Sequence, residues 1–277
     1  MNTIDTVSER PNSEAFADFA ILDLAQKDEG LLLGWMYSYF TTEIPWEPLY
    51  QSTALADRWK SGPILIELRH SPAFREALIE RYRSDYLGML IHAPEINLAQ
   101  LADHLRSIII IQREDKSAVF RFYDPRSLGP LFDVLEPVQR QSLLGPASRW
   151  IWYLYGQWQV ASSDVQREIP GEGLVFTISE EQIMQLDRAR LKHFALFLAD
   201  KYRAYVPSTD SDSFVLGEIE SAQDSGISSQ ADQERWLRMA IKLSGRLLES
   251  AQWSQLIRVE GKTALQALSQ LETEQGC

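Results

Sequence analysis

The sequence predicts an α/β (α+β) N-terminal lobe with a mixed sheet and flanking helices, followed by an all-α C-terminal helical lobe. Three observations carry that prediction. Up to Trp158, short β-branched or aromatic runs alternate with helical stretches, as in layered folds of strands and helices. From Ser179 onward the apolar residues recur at spacings of three and four, the period of an amphipathic helix. Between the two patterns lies a polar stretch that contains the turn Pro170-Gly171-Glu172-Gly173. The predicted organisation is a flexible leader (1–13), an α/β lobe (14–160), a connector (161–178) and a helical lobe (179–277).

Each element follows from local chemistry. Met1 to Ser13 is polar, contains Pro11 and lacks periodicity, which predicts a frayed leader. Phe19 to Leu24 reads as a strand. Leu31 to Phe40 is apolar almost all round, the mark of a helix that is buried or faces a partner. A short helix over Thr53 to Lys60 leads into a strand over Ile64 to Leu68. Ser71 is placed to cap a helix with Pro72 in its first position, and Phe74, Leu78 and Tyr82 recur at spacing four. A strand over Leu87 to Ile91 follows. Asn97 caps the next helix, with Leu98, Leu101 and Leu105 inward, and Ile108 to Ile111 reads as a short apolar strand.

The run Arg121-Phe122-Tyr123-Asp124-Pro125-Arg126 is the most informative part of the chain. Val119, Arg121 and Tyr123 alternate with Phe120 and Phe122, a period-two strand that Pro125 must end because it has no N–H to donate. Asp124 then stands where its carboxylate can cap the following turn or helix and pair with Arg106 or Arg121. The rival reading makes Asp124 a general base or phosphate-site ligand, with Arg121, Arg106 and His104 around it. Farther on, Trp150, Trp152 and Leu154 share one face of an aromatic strand and Tyr153 and Tyr155 the other. That strand is either covered on both faces or part of a partner groove. Leu174 to Ile178 reads as a last strand.

Beyond the connector, Ser179 and Gln182 form a capping box, and Leu191, Phe194, Leu198, Tyr202 and Tyr205 make a stripe. A shorter helix fits Asp212 to Gln223. Ser229 and Asp232 open another helix with Trp236, Ala240, Leu243 and Leu247 inward, and a last one carries Leu256, Leu265, Leu268 and Leu271, interrupted at Gly261. Between Arg203 and Arg235 there is no Lys or Arg, while Asp210, Asp212, Glu218, Glu220, Asp224, Asp232 and Glu234 supply seven carboxylates. Such a run is a solvated face or an acidic cradle for a basic partner segment. Phe197, Tyr202, Tyr205, Trp236 and Trp253 exceed what so small a bundle needs inside, so together with Asp210, Asp212, Glu218 and Glu220 they are the predicted partner-binding set.

Composition removes several function classes. The 277 residues are 45% hydrophobic, enough for one large core or two modest ones, and the net charge is −12. Counterion release therefore works against nucleic acid, and an anionic membrane is an equally poor partner. The single cysteine, Cys277, permits neither an intramolecular disulfide nor a Cys-rich zinc site, and a reducing cytoplasm fits. The first residues hold Asp5, Glu9 and Arg10 and no apolar signal region, and the run Leu31 to Thr42 is too short to span a bilayer. His70, His92, His104 and His193 lack metal-ligand spacing, and no glycine-rich phosphate loop or nucleophile elbow is present. No cofactor and no metal are expected.

The order and spacing of Gly62-Pro63-Ile64-Leu65-Ile66-Glu67-Leu68, His104-Leu105-Arg106, the Arg121 to Arg126 run, Gln139, Leu144-Gly145-Pro146 and the strand from Trp150 to Trp158 resemble the domain of unknown function 4123. The resemblance spans Phe19 to Trp158. Arg106, Arg121, Asp124, Pro125, Gly145 and Pro146 are its structural motif residues here, and family members typically append a helical lobe, to which Gly226-Ile227-Ser228 and Trp236-Leu237 are similar. The resemblance implies a non-catalytic adaptor chaperone of the bacterial type VI secretion system. Such an adaptor binds a toxic effector, stabilises it, and helps load it onto the valine-glycine repeat spike protein and its proline-alanine-alanine-arginine (PAAR) tip. The alternatives are a hydrolase or phosphodiesterase built on Asp124, Arg121, Arg106 and His104, and an immunity protein that neutralises a toxin by charge.

Overall fold

The computed structural model describes residues 4–7, 17–28, 30–40, 44–113, 116–163 and 176–275. The chain divides into two compact units, Met1–Leu186 and Asp187–Cys277.

The first unit is built on a seven-stranded sheet: β1 (Ile4–Val7), β2 (Phe19–Asp23), β3 (Trp46–Pro48), β4 (Pro63–Glu67), β5 (Gly88–His92), β8 (Arg149–Leu154) and β9 (Gln157–Ser162). Strands β6 (Ile110–Arg113) and β7 (Lys116–Val119) form a separate two-stranded sheet. The spatial order of the large sheet is β1-β9-β8-β5-β2-β4-β3. Every adjacent pair is antiparallel, which corrects the expected mixed sheet. The reason is topological. Helix α2 (Pro72–Ser84) crosses from β4 to β5, and these two strands do run in the same direction, but β2 lies between them and pairs antiparallel with both. Alternation along the chain reports direction and not adjacency.

Strand β2 is buried at all five positions because both sheet faces are covered. Phe19, Ile21, Leu65, Met89, Ile91, Trp150, Trp152 and Leu154 point to one core, which α3 (Leu98–Ile109), α4 (Pro125–Val134) and α5 (Pro137–Leu144) close with residues such as Leu101, Leu105, Leu128, Phe132 and Leu143. Ala20, Leu22, Ile64, Ile66, Leu90 and Ile151 point to the other, closed by Leu32 and Met36 of α1 (Leu31–Tyr37) and Phe74, Leu78 and Tyr82 of α2. The Trp150 ring stacks on Phe122 at 5.5 Å and Trp152 on Phe132 at 6.1 Å. The aromatic strand is therefore a central strand covered on both sides, not an open groove.

Several boundaries differ from the sequence reading. Ile4–Val7 of the supposed leader is a strand paired with β9, while the rest of 1–13 lies outside the described residues. Helix α3 runs on through Ile109, so the strand expected over Ile108 to Ile111 begins only at Ile110. The short helix after Thr53 is a 3-10 turn over Ala56–Ser61, and Ser71 stands at its helix's N-cap without a side-chain hydrogen bond. The strand expected up to Asp124 is absent beyond Val119. The chain turns there, with Asp124 N–H bonded to Arg121 O, so consecutive Phe122 and Tyr123 are both buried in one core. The Pro170–Gly173 turn and residues 174–175 lie outside the described residues, and Phe176 to Ile178 is not a strand.

The second unit is helical: most of α6 (Glu180–Tyr202), then α7 (Ser211–Asp224), α8 (Gln230–Lys242), α9 (Ala251–Ser254) continued by a π turn over Gln255–Val259, and α10 (Ala264–Gln275). Gly261 takes φ +66 between the last two helical segments, the left-handed conformation that ends a helix there. The units divide inside α6 and not in the 161–178 stretch. Ile183 and Leu186 pack against the sheet core, and the Gln139 and Gln182 carboxamides bond reciprocally at 3.0 and 2.7 Å. Gln182 also makes the capping box with Ser179, and Gln139 caps its own helix at Glu136 N–H, so each side chain joins two helix starts.

Candidate partner-binding surface

Within the Arg121 to Arg126 run, Asp124 pairs with Arg126 while Arg121 pairs outside the run. Asp124 is 7% exposed and is the N-cap of α4, with Pro125 in the first helical position where a missing N–H costs nothing. Its Oδ1 accepts from Arg126 N at 3.0 Å and Nε at 2.9 Å, and its Oδ2 from Nη2 at 2.8 Å. That bidentate pair holds the Arg126 pKa above its ordinary value, against the effect of burial. Arg121 instead donates to Asp23 at 2.5 Å, a carboxylate only 2% exposed that also accepts from Ala25 N–H and the Gln26 amide. Burial works most strongly against the Arg121 charge, but Asp23, through charge and hydrogen bond, together with Tyr123 and Asp124 outweighs it, so its pKa is raised. Arg106 reaches Glu47 at 2.6 Å and Pro48 O at 3.1 Å, tying α3 to the β3 edge. The expected pairing of Asp124 with Arg121 or Arg106 is thus replaced by Arg126, a residue two positions away with the shortest reach.

His104 lies elsewhere. Its Nε2 donates to Leu143 O at 3.0 Å, and its ring lies against Gly145. Burial lowers its pKa, opposed by that hydrogen bond. The folded protein therefore holds His104 neutral, and its contribution to stability is present above the unfolded value of about 6.5 and lost as pH falls through the lower folded pKa. Thermal melts are expected to decline from about pH 6.5 downward, and His104→Gln is expected to flatten that first part of the decline. Asp124→Ala is expected to destabilise by about 1–3 kcal/mol through loss of the cap and the Arg126 pair. A variant with unchanged melting would overturn the capping role.

In the helical unit the predicted partner set separates into core and surface. Trp236 is fully buried and Trp253 is 6% exposed, with their rings 5.0 Å apart edge to face. They are core, so the predicted aromatic groove lacks both of its tryptophans. Tyr202 is half-buried and donates to Glu234 at 2.6 Å, Phe197 is half-buried beside Lys201, and Tyr205 is 71% exposed. Much of the acidic run is engaged locally. Asp210 caps α7 at Ser213 N–H, Asp232 accepts from Ser229 and Arg235, Glu234 pairs with Lys201, and Glu218 accepts from Trp236 Nε1 at 3.0 Å. Burial raises the Glu218 pKa, opposed by the indole hydrogen bond. Asp212, Glu220 and Asp224 stand exposed on α7 and leave it an acidic outer face.

Two features were not singled out as sites by residue type. Helix α1 buries Leu32 and Met36 but exposes Leu31 and, beyond it, Tyr37 and Tyr39 at 60%, 48% and 44%. Trp35 and Phe40 pack on Phe74 at 5.4 and 5.1 Å, and the Tyr37 hydroxyl accepts from Trp46 Nε1 at 3.0 Å. The all-round apolar pattern thus serves both roles, one face core and the other surface. The second feature is a cavity of about 250 Å3 in the helical unit, lined by residues of α6, α7 and α8. No group of three or more His, Cys, Asp or Glu that could hold a metal occurs among the described residues, and no helix among them is long and apolar enough to cross a membrane.

No curated protein and no solved structure matches the chain. A family model does: residues 19–142 match the domain of unknown function DUF4123, ending sixteen residues short of the span read from the motifs. That segment runs from β2 through α5 and contains the Asp124 cap, the Arg121–Asp23 pair and His104. Residues 19–142, which lie within the sheet unit, are therefore similar to the domain of unknown function DUF4123.

Proposed function

We propose that this protein is a non-catalytic adaptor chaperone that binds a type VI secretion effector, keeps it stable, and helps load it onto the valine-glycine repeat spike and its PAAR tip. The observation that supports it best is where the motif's charges go. Asp124, Arg121 and Arg106 are engaged in caps and ion pairs with Arg126, Asp23 and Glu47, so the motif builds the frame. Apolar side chains remain for contact, at Leu31, Tyr37 and Tyr39 in the sheet unit and at Leu196 and Tyr205 in the helical unit. Large exposed aromatics are favoured anchors of protein interfaces. A hydrolase or phosphodiesterase centred on Asp124 and Arg121 needs a carboxylate open to substrate, whereas both Asp124 oxygens are covered by Arg126.

The test is co-expression of the full chain with a candidate type VI effector and spike protein from the same genome. The effector is expected to accumulate and to co-purify with the chain, and to reach the spike only when the chain is present. Equal accumulation and spike association without it sinks the adaptor reading. Protection from toxicity through blockage of the toxic domain favours an immunity protein instead.

A further inference from the structure

We draw no further inference here: the strongest candidate, the uncharged surface patch on α1 of the sheet unit that exposes Leu31 and Tyr37, carries no proposal because nothing in the structure shows what covers it.

Discussion

Trp236→Ala is expected to destabilise the helical unit by about 3–5 kcal/mol, the cost of a large aromatic removed from a packed core. The indole is fully buried, meets Trp253 edge to face at 5.0 Å, and donates to Glu218. Three losses therefore coincide: buried area, an aromatic pair, and the donor to a half-buried carboxylate. Without that donor, Glu218 is expected to titrate still higher, since burial alone then acts on it. A raised carboxyl pKa favours the folded state below the unfolded value and ceases to do so as pH rises through the folded one, so the damage is expected to be smaller in mild acid. Thermal melts by circular dichroism at two pH values measure both effects. Tyr205→Ala, at a residue 71% exposed, is the control and is expected to change stability by less than about 0.5 kcal/mol. If Trp236→Ala melts like the wild type, the tryptophan pair is not core.

Gly145→Ala is expected to cost about 3 kcal/mol, from two separable causes. Gly145 takes φ +57, which for a residue with a Cβ costs about 1–2 kcal/mol. The added Cβ would also stand 2.2 Å from His104 Nε2, so the imidazole must leave its place and give up the bond to Leu143 O, a further loss of about 1 kcal/mol. The causes part in a double-mutant cycle. His104→Ala removes the obstacle, so adding Gly145→Ala to it is expected to cost only the backbone share. Additive costs would mean that Gly145 is required for its backbone angle alone. Gly145 and His104 stand 41 positions apart, and each explains the other's presence among the motif residues.

How much of this was legible depended on whether the deciding contact was local. The Asn97 cap and the capping box of Ser179 with Gln182 were readable because cap and partner are three residues apart. The same holds for the Asp124 cap before Pro125. Its ion-pair partner was misread because Arg121, Arg106 and Arg126 are all plausible by charge, and only the turn after Arg121 decides which one faces the carboxylate. Arg121 instead meets Asp23 across 98 positions, a distance over which no sequence pattern carries information. The aromatic groove failed for a related reason. Counting aromatics against bundle size ignores that Trp236 and Trp253 can pack edge to face inside one core.

By itself the sequence determined the two-part organisation, most helix starts, the strands β2 and β8, and the resemblance to the DUF4123 family. These rest on period, capping and turn chemistry, which act within a few residues. Only the tertiary structure decided that the sheet is wholly antiparallel, that Ile4–Val7 joins it beside β9, and that the compact units divide within α6. Strand adjacency and the point where one packed unit ends depend on which distant groups remain to be covered or bonded, and that balance exists only once the layers have closed.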